Sequence, residues 1–141
     1  MRRCHFALPL AAVVITVAAT TAIPVPAQAA PNAKPTCYGA SCNGLDPRQT
    51  GCSADARAVY DEIFQGRLIR LRYSRACRAV WAQLWNGKPG DTAIAQGDDG
   101  SSQSKVISSD NGYTLMVNDL GVTAKACVVI ETSAMKCTGY W

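Results

Sequence analysis

Six cysteines spread over residues 37 to 137 follow a hydrophobic leader, and that leader holds the chain's only histidine, His5. The six are Cys37, Cys42, Cys52, Cys77, Cys127 and Cys137, while a seventh, Cys4, lies inside the leader. An even set of cysteines in a short exported chain reads as a disulfide framework, because a small domain buries too little apolar surface to rely on its core alone. The absence of histidine beyond the leader removes Ser-His-Asp triads and imidazole metal ligands from the rest of the chain.

The leader itself has three parts. Arg2 and Arg3 are its positive start, Phe6 to Thr20 is an apolar run rich in Ala and Val, and Pro24-Val25-Pro26 precedes the small-residue triplet Ala27-Gln28-Ala29. This is the form of a secretory signal, with cleavage expected after Ala29. A membrane anchor is the rival, but Pro9 interrupts the run and it falls short of the ~20 apolar residues a spanning helix needs. Cys37 follows Lys34-Pro35-Thr36, which is no lipobox. The expectation is therefore a soluble exported protein, secreted or extracytoplasmic, with residues 30–36 as a flexible arm and 37–141 as a single disulfide-rich β domain. Removing Arg2 and Arg3 takes Lys+Arg from 14 to 12 against 10 Asp+Glu, so nothing demands a polyanion and nucleic acid is not an expected partner.

Six cysteines allow about 15 connectivities. Local geometry favours one set without excluding the others. Cys127 and Cys137 flank what looks like a hairpin and can face each other across it, Cys37 and Cys42 can close a small loop around Gly39, and Cys52 is then left with Cys77. Zinc is disfavoured by the oxidising compartment, and redox catalysis by the lack of a Cys-x-x-Cys pair.

The fold class expected is mainly β: a small disulfide-stapled barrel or sandwich of short antiparallel strands, with an irregular cysteine-rich N-terminal lobe over 37–53. Arg57–Phe64 suits either a short helix capped by Ser53 or a strand turning at Gln65-Gly66, and the strand is favoured. Arg67–Ser74 alternates Ile69, Leu71 and Tyr73 against Arg70, Arg72 and Ser74, which is a half-buried strand. Further strands are expected at Arg78–Trp85, Thr92–Gln96, Gln103–Ser108, Tyr113–Val117, Val122–Thr132 and Met135–Trp141, punctuated by Gly, Asn and Asp turns. The expected core is Ile69, Leu71, Tyr73, Val80, Ile94, Val106, Leu115, Val117, Val128 and Ile130.

The run Cys37-Tyr-Gly-Ala-Ser-Cys42-Asn-Gly-Leu-Asp46-Pro47 is followed by Gly51-Cys52-Ser-Ala-Asp55-Ala56. The central Leu71-Arg72-Tyr73-Ser74-Arg75-Ala76-Cys77-Arg78-Ala79-Val80-Trp81-Ala82 comes next, then Tyr113 to Val117 and the pair Cys127 and Cys137. Together these resemble an actinobacterial secreted family, domain of unknown function 2690, over about residues 37–138. Leu115 departs from the pattern, where Pro is expected. The resemblance implies an extracytoplasmic module of unassigned function and carries over no catalytic residue.

Few groups remain for chemistry. Asp61-Glu62 and Asp98-Asp99 are sequence neighbours, but adjacent strand residues point to opposite faces, and Asp98-Asp99 sits between glycines as a turn does. Asp46, Asp110 and Asp119 offer the oxygen ligands of a calcium site, but no Asp-x-Asp-x-Asp-Gly loop is present, so this is a minor alternative. No cofactor and no metal are called for. The arginines are the most suggestive polar feature: Arg67, Arg70, Arg72, Arg75 and Arg78 crowd one strand-turn-strand segment, and guanidinium forks suit carboxylate and phosphate. The bland alternative is a solvated strand face whose stems cover apolar surface. Trp81 and Trp85 suit a carbohydrate-stacking platform, though such residues more often fill a small core.

The sequence therefore favours a non-enzymatic binding or sensory module of the bacterial cell envelope, with Arg70, Arg72, Arg75, Arg78, Trp81 and Trp85 as candidate binding residues. Anionic wall polymers or an acidic protein surface are the partner classes that suit them. A protease inhibitor or small soluble effector is the alternative, although the Cys-Pro-x-x-Tyr-Asp-Pro run of bacterial subtilisin inhibitors is absent. A histidine-free hydrolase using two carboxylates ranks below both and requires them to converge in a cleft.

Overall fold

A computed structural model describes residues 34–130 and 134–141. The expected leader, the expected cleavage point and residues 30–33 of the expected arm lie outside the described residues. Of the arm, Thr36 already donates its N–H to the Thr50 carbonyl at 3.0 Å.

Two antiparallel sheets face each other and do not close into a barrel. The first contains β1 (Arg57–Phe64), β2 (Arg67–Ser74), β3 (Ala79–Trp85) and, beyond β3, the short β6 (Gly112–Tyr113) and β7 (Val117–Asn118). The second runs in the order β5 (Ser102–Val106), β4 (Thr92–Gly97), β8 (Ala124–Ile130) and β9 (Ala134–Cys137). Arg57–Phe64 is a strand, paired with β2 through the two-residue turn Gln65-Gly66. Both turn residues have positive φ, 47° and 79°, whose twist matches that of the flanking strands. The lobe holds two short 3-10 helices, Gly39–Cys42 and Cys52–Ala54.

The core divides in two. Between the sheets lie Ile69, Leu71, Tyr73, Val80, Ala82, Leu84, Ala93, Ala95, Ile107, Val117, Ala124, Ala126, Val128 and Ile130. On the other face of β3, Ala79 and Trp81 pack with Met116 against Cys37, Cys42, Cys52 and Cys77. The lobe thus covers the outer face of β3, which is why that strand is buried almost throughout.

Three residues expected in the core are not there. Ile94 is on the outer face of β4, because the inward positions are Ala93 and Ala95. Val106 is 63 % exposed at the end of edge strand β5, and its neighbour Ile107 turns inward instead, closing on Gly87 and Gly112 where a larger residue would clash. Leu115 is 40 % exposed because the strand expected over Tyr113–Val117 is broken. Thr114 donates its N–H to the Ala82 carbonyl and its hydroxyl oxygen accepts from the Ala82 N–H, while Met116 pairs with Leu45 and Gly44 of the lobe. The strand expected to run to Trp141 ends at Cys137.

Cys127 and Cys137 face each other across β8 and β9, with Cα atoms 4.0 Å apart, and are bridged. Cys37 is bridged to Cys42 and Cys52 to Cys77. The far end of the sandwich carries an ion-pair clasp. Arg67 donates from Nε and Nη2 to both Asp91 oxygens at 2.9 and 3.2 Å, and from Nη1 to the Gln65 carbonyl. Burial alone would raise the Asp91 pKa, but the Arg67 hydrogen bonds, the Lys88 amide and their positive charges outweigh it, and the carboxyl lies below its ordinary value.

Replacing Arg67 by Met should destabilise the fold by about 3–5 kcal/mol, because it strands a buried carboxylate. The double replacement Arg67→Met with Asp91→Leu should recover most of that loss. Urea unfolding of both variants checks this; equal losses would mean that the pairing is not what holds this end.

Candidate functional site

The turn between β2 and β3 is fixed from outside. Asp55 accepts hydrogen bonds from the Ser74 hydroxyl and the Ala76 N–H, Ser74 Oγ in turn accepts from the Cys77 N–H, and Cys77 is bridged to Cys52. This places Arg75 and Arg78 at the end of the sandwich opposite the Arg67 clasp, about 23 Å away along β2 at ~3.3 Å per residue. Arg78 has φ 49°, a left-handed conformation that glycine adopts more readily.

The expected binding residues separate into two places. Arg70, Arg72, Trp81 and Trp85 line a shallow pocket of about 160 Å³ with Arg48, Gln83 and Tyr113. Arg70 and Arg72 share a face of β2, but both are engaged. Arg70 forms a two-point pair with Asp61 at 2.8 and 2.7 Å, and Arg72 donates to the Ala56 carbonyl at 3.0 Å. The Arg70 hydrogen bonds hold the Asp61 carboxyl below the usual range. Trp81 is buried against the cysteines, and Trp85 is 38 % exposed.

Arg75 and Arg78 instead line a pocket of about 650 Å³ with Arg57, Tyr73, Asp98, Asp119, Thr123 and Trp141. Arg57 stacks beside two rings, 5.6 Å from the centre of Tyr73 and 5.5 Å from that of Trp141. Trp141 is held there by a backbone pair with Ala124, at 2.9 and 3.2 Å. Asp98 joins the β4–β5 turn to the β7–β8 loop, accepting from the Thr123 N–H and hydroxyl. Among the described residues Arg57, Arg75 and Arg78 form no ion pair, and the buried Nε of Arg78 has no hydrogen-bond partner.

Asp119 is 6 % exposed, and its side chain accepts no hydrogen bond among the described residues. Desolvation pushes its pKa up to about 6, opposed by the charge of Arg78. Asp46, Asp110 and Asp119 do not converge: among the described residues the one group with ligand atoms close enough to hold a metal is Cys37, Cys42, Cys52 and Cys77. Their sulfurs are bridged and offer no thiolate.

Arg57, Tyr73 and Trp141 carry no site signal in the sequence, and Asp119 is a candidate there only as a calcium ligand. Tyr73 reads as core, and it is; Trp141 reaches the pocket only through its pairing with β8, which leaves no local signal.

A family model described as a protein of unknown function, DUF2690, matches residues 40–127. The chain belongs to this family. The DUF2690 match takes in Arg57, Tyr73, Arg75, Arg78 and Asp119, and leaves Cys37, Cys137 and Trp141 outside. No curated protein matches the chain, and no solved structure does. Among the described residues no helix is long and apolar enough to cross a membrane, and this together with the three disulfides is compatible with an extracellular protein.

A raised folded-state pKa gives stability that is fully present below the unfolded value of ~3.9 and is lost as pH rises to about 6. Asp119→Asn should therefore unfold at higher denaturant than the parent at pH 7.5, by at most about 3 kcal/mol, and the two should converge below about pH 4. Denaturation of both across that range checks it; a constant difference would mean that Asp119 is not desolvated.

Proposed function

We propose that this DUF2690 chain is a non-enzymatic binding module of the bacterial cell envelope or secreted space, taking an anionic ligand in the pocket lined by Arg57, Arg75 and Arg78. The observation that carries this reading is that these three arginines surround one 650 Å³ pocket and none of them has an acidic partner within ion-pair distance among the described residues. A guanidinium without a carboxylate is free to fork onto a ligand carboxylate or phosphate. Tyr73 and Trp141 add an apolar wall, which favours a ligand whose anionic group is attached to an apolar or sugar body. Arg70 and Arg72 take a smaller part in this reading, because each already has a partner within the fold.

One observation favours a second reading, a carboxylate hydrolase: Asp98 and Asp119 line the same pocket, and Asp119 has the raised pKa of a general acid. Against it, both Asp98 oxygens already hold Thr123, which makes Asp98 a structural link.

Co-sedimentation of the oxidised domain with bacterial cell walls, intact or stripped of their anionic polymers, tests the binding reading across a salt series. Salt-sensitive pelleting with intact walls is expected, reduced about tenfold or more by Arg75→Ala or Arg78→Gly, as the loss of a charged hydrogen bond implies. Arg70→Ala with Arg72→Ala should change it less. Glycine suits the backbone at residue 78, so a loss there reports the guanidinium. Pelleting that ignores Arg75 and Arg78 would overturn the assignment of the pocket, and turnover of wall material abolished by Asp119→Asn would favour the hydrolase.

A further inference from the structure

The two bridges of the lobe touch. The Sγ atoms of Cys37, Cys42, Cys52 and Cys77 all lie within 4.8 Å of one another, and those of Cys37 and Cys52, which belong to different bridges, are 3.6 Å apart. Cys42, Cys52 and Cys77 are fully buried, whereas Cys37 is 9 % exposed and is the one of the four nearest to solvent. Cys127–Cys137 belongs to the other sheet and is not part of this cluster.

We infer that Cys37–Cys42 and Cys52–Cys77 form one exchange-coupled redox site, in which a thiolate at Cys37 is resolved by Cys52. Disulfides exchange when a thiolate attacks a neighbouring disulfide sulfur, and a contact of 3.6 Å puts attacker and target close to the ~3–3.5 Å of a reactive pair. The co-reactant is an external dithiol, such as the reduced form of an exported thiol–disulfide oxidoreductase. It opens Cys37–Cys42, is itself oxidised to a disulfide, and leaves two thiols on this chain. The Cys37 thiolate then attacks Cys52, forming the Cys37–Cys52 bond and breaking Cys52–Cys77, and the electron pair leaves on Cys77, which takes up the proton Cys37 released. The thiols finally reside on Cys42 and Cys77, themselves close enough to be oxidised to a second bridge. The outer bridge thereby gives reducing equivalents a route to a buried one.

Single replacements isolate the exchange. In Cys42→Ser the free thiol begins on Cys37, and in Cys77→Ser it begins on Cys52. After incubation under native conditions, acid quench and alkylation in denaturant, peptide mapping should show the label shifted from Cys37 to Cys77 in the first and from Cys52 to Cys42 in the second. Both should yield the same new Cys37–Cys52 peptide. Label confined to Cys37 and to Cys52 would overturn the inference. Label appearing equally on Cys127 or Cys137 would also overturn it, since that is scrambling through unfolded chain. If either variant fails to fold, the wild-type chain treated with substoichiometric dithiol provides the same readout: the Cys37–Cys52 peptide is expected, and its absence overturns the proposal. None of these readouts involves a ligand, so failure here leaves the binding reading intact.

Discussion

The Cys52–Cys77 bridge, together with the Asp55 carboxylate, holds in place the end of the sandwich that carries the arginine-lined pocket. It ties the lobe to the β2–β3 turn, and Asp55 accepts from Ser74 and Ala76 on the same turn. Two consequences follow from one constraint. Below the turn, the lobe is pressed onto the outer face of β3, burying Trp81 and Met116 and giving the small sandwich a second apolar cluster. Above it, Arg75 and Arg78 are fixed at the rim of the larger pocket. A bridge of this kind contributes ~2–4 kcal/mol, chiefly by restricting the unfolded chain. That is a large fraction of the ~5–15 kcal/mol typical of a domain.

The arginines of one short segment meet four different fates, which distance along the chain does not sort. Arg67 is buried in an ion pair that closes one end of the sandwich. Arg70 is neutralised on the surface by Asp61, and Arg72 is turned onto a backbone carbonyl. Among the described residues Arg75 and Arg78 are left without acidic partners, and Arg57, opposite Tyr73 on the neighbouring strand β1, joins them through its stacking on Tyr73 and Trp141. The uneven distribution of partners, more than the count of arginines, is what supports the proposal that an anion binds in this pocket.

Several parts of the fold were legible because they are local. The alternation in Arg67–Ser74 defined β2, the Gln65-Gly66 pair marked the hairpin turn, and the spacing around Cys127 and Cys137 suggested a bridge across a hairpin. The misplaced core residues show where local reading stops. Ile94 and Val106 are as apolar as any inward residue, but which face a strand buries is set by its partner sheet. In β4 the inward positions are Ala93 and Ala95, and Ile94 between them faces outward. The break between β6 and β7 was hidden for a similar reason, since Thr114 and Met116 form their bonds to β3 and to the lobe, both remote in sequence.

The sequence by itself determined a mainly β domain stapled by paired cysteines, without histidine beyond His5, because these properties reside in composition, period-two alternation and turn residues. Only the tertiary structure decided which arginines are free, which aspartate is desolvated, and that two of the disulfides lie in contact. Each of those depends on distances between segments that are far apart along the chain, and a hydrogen bond, an ion pair or a sulfur contact is governed by distance in space.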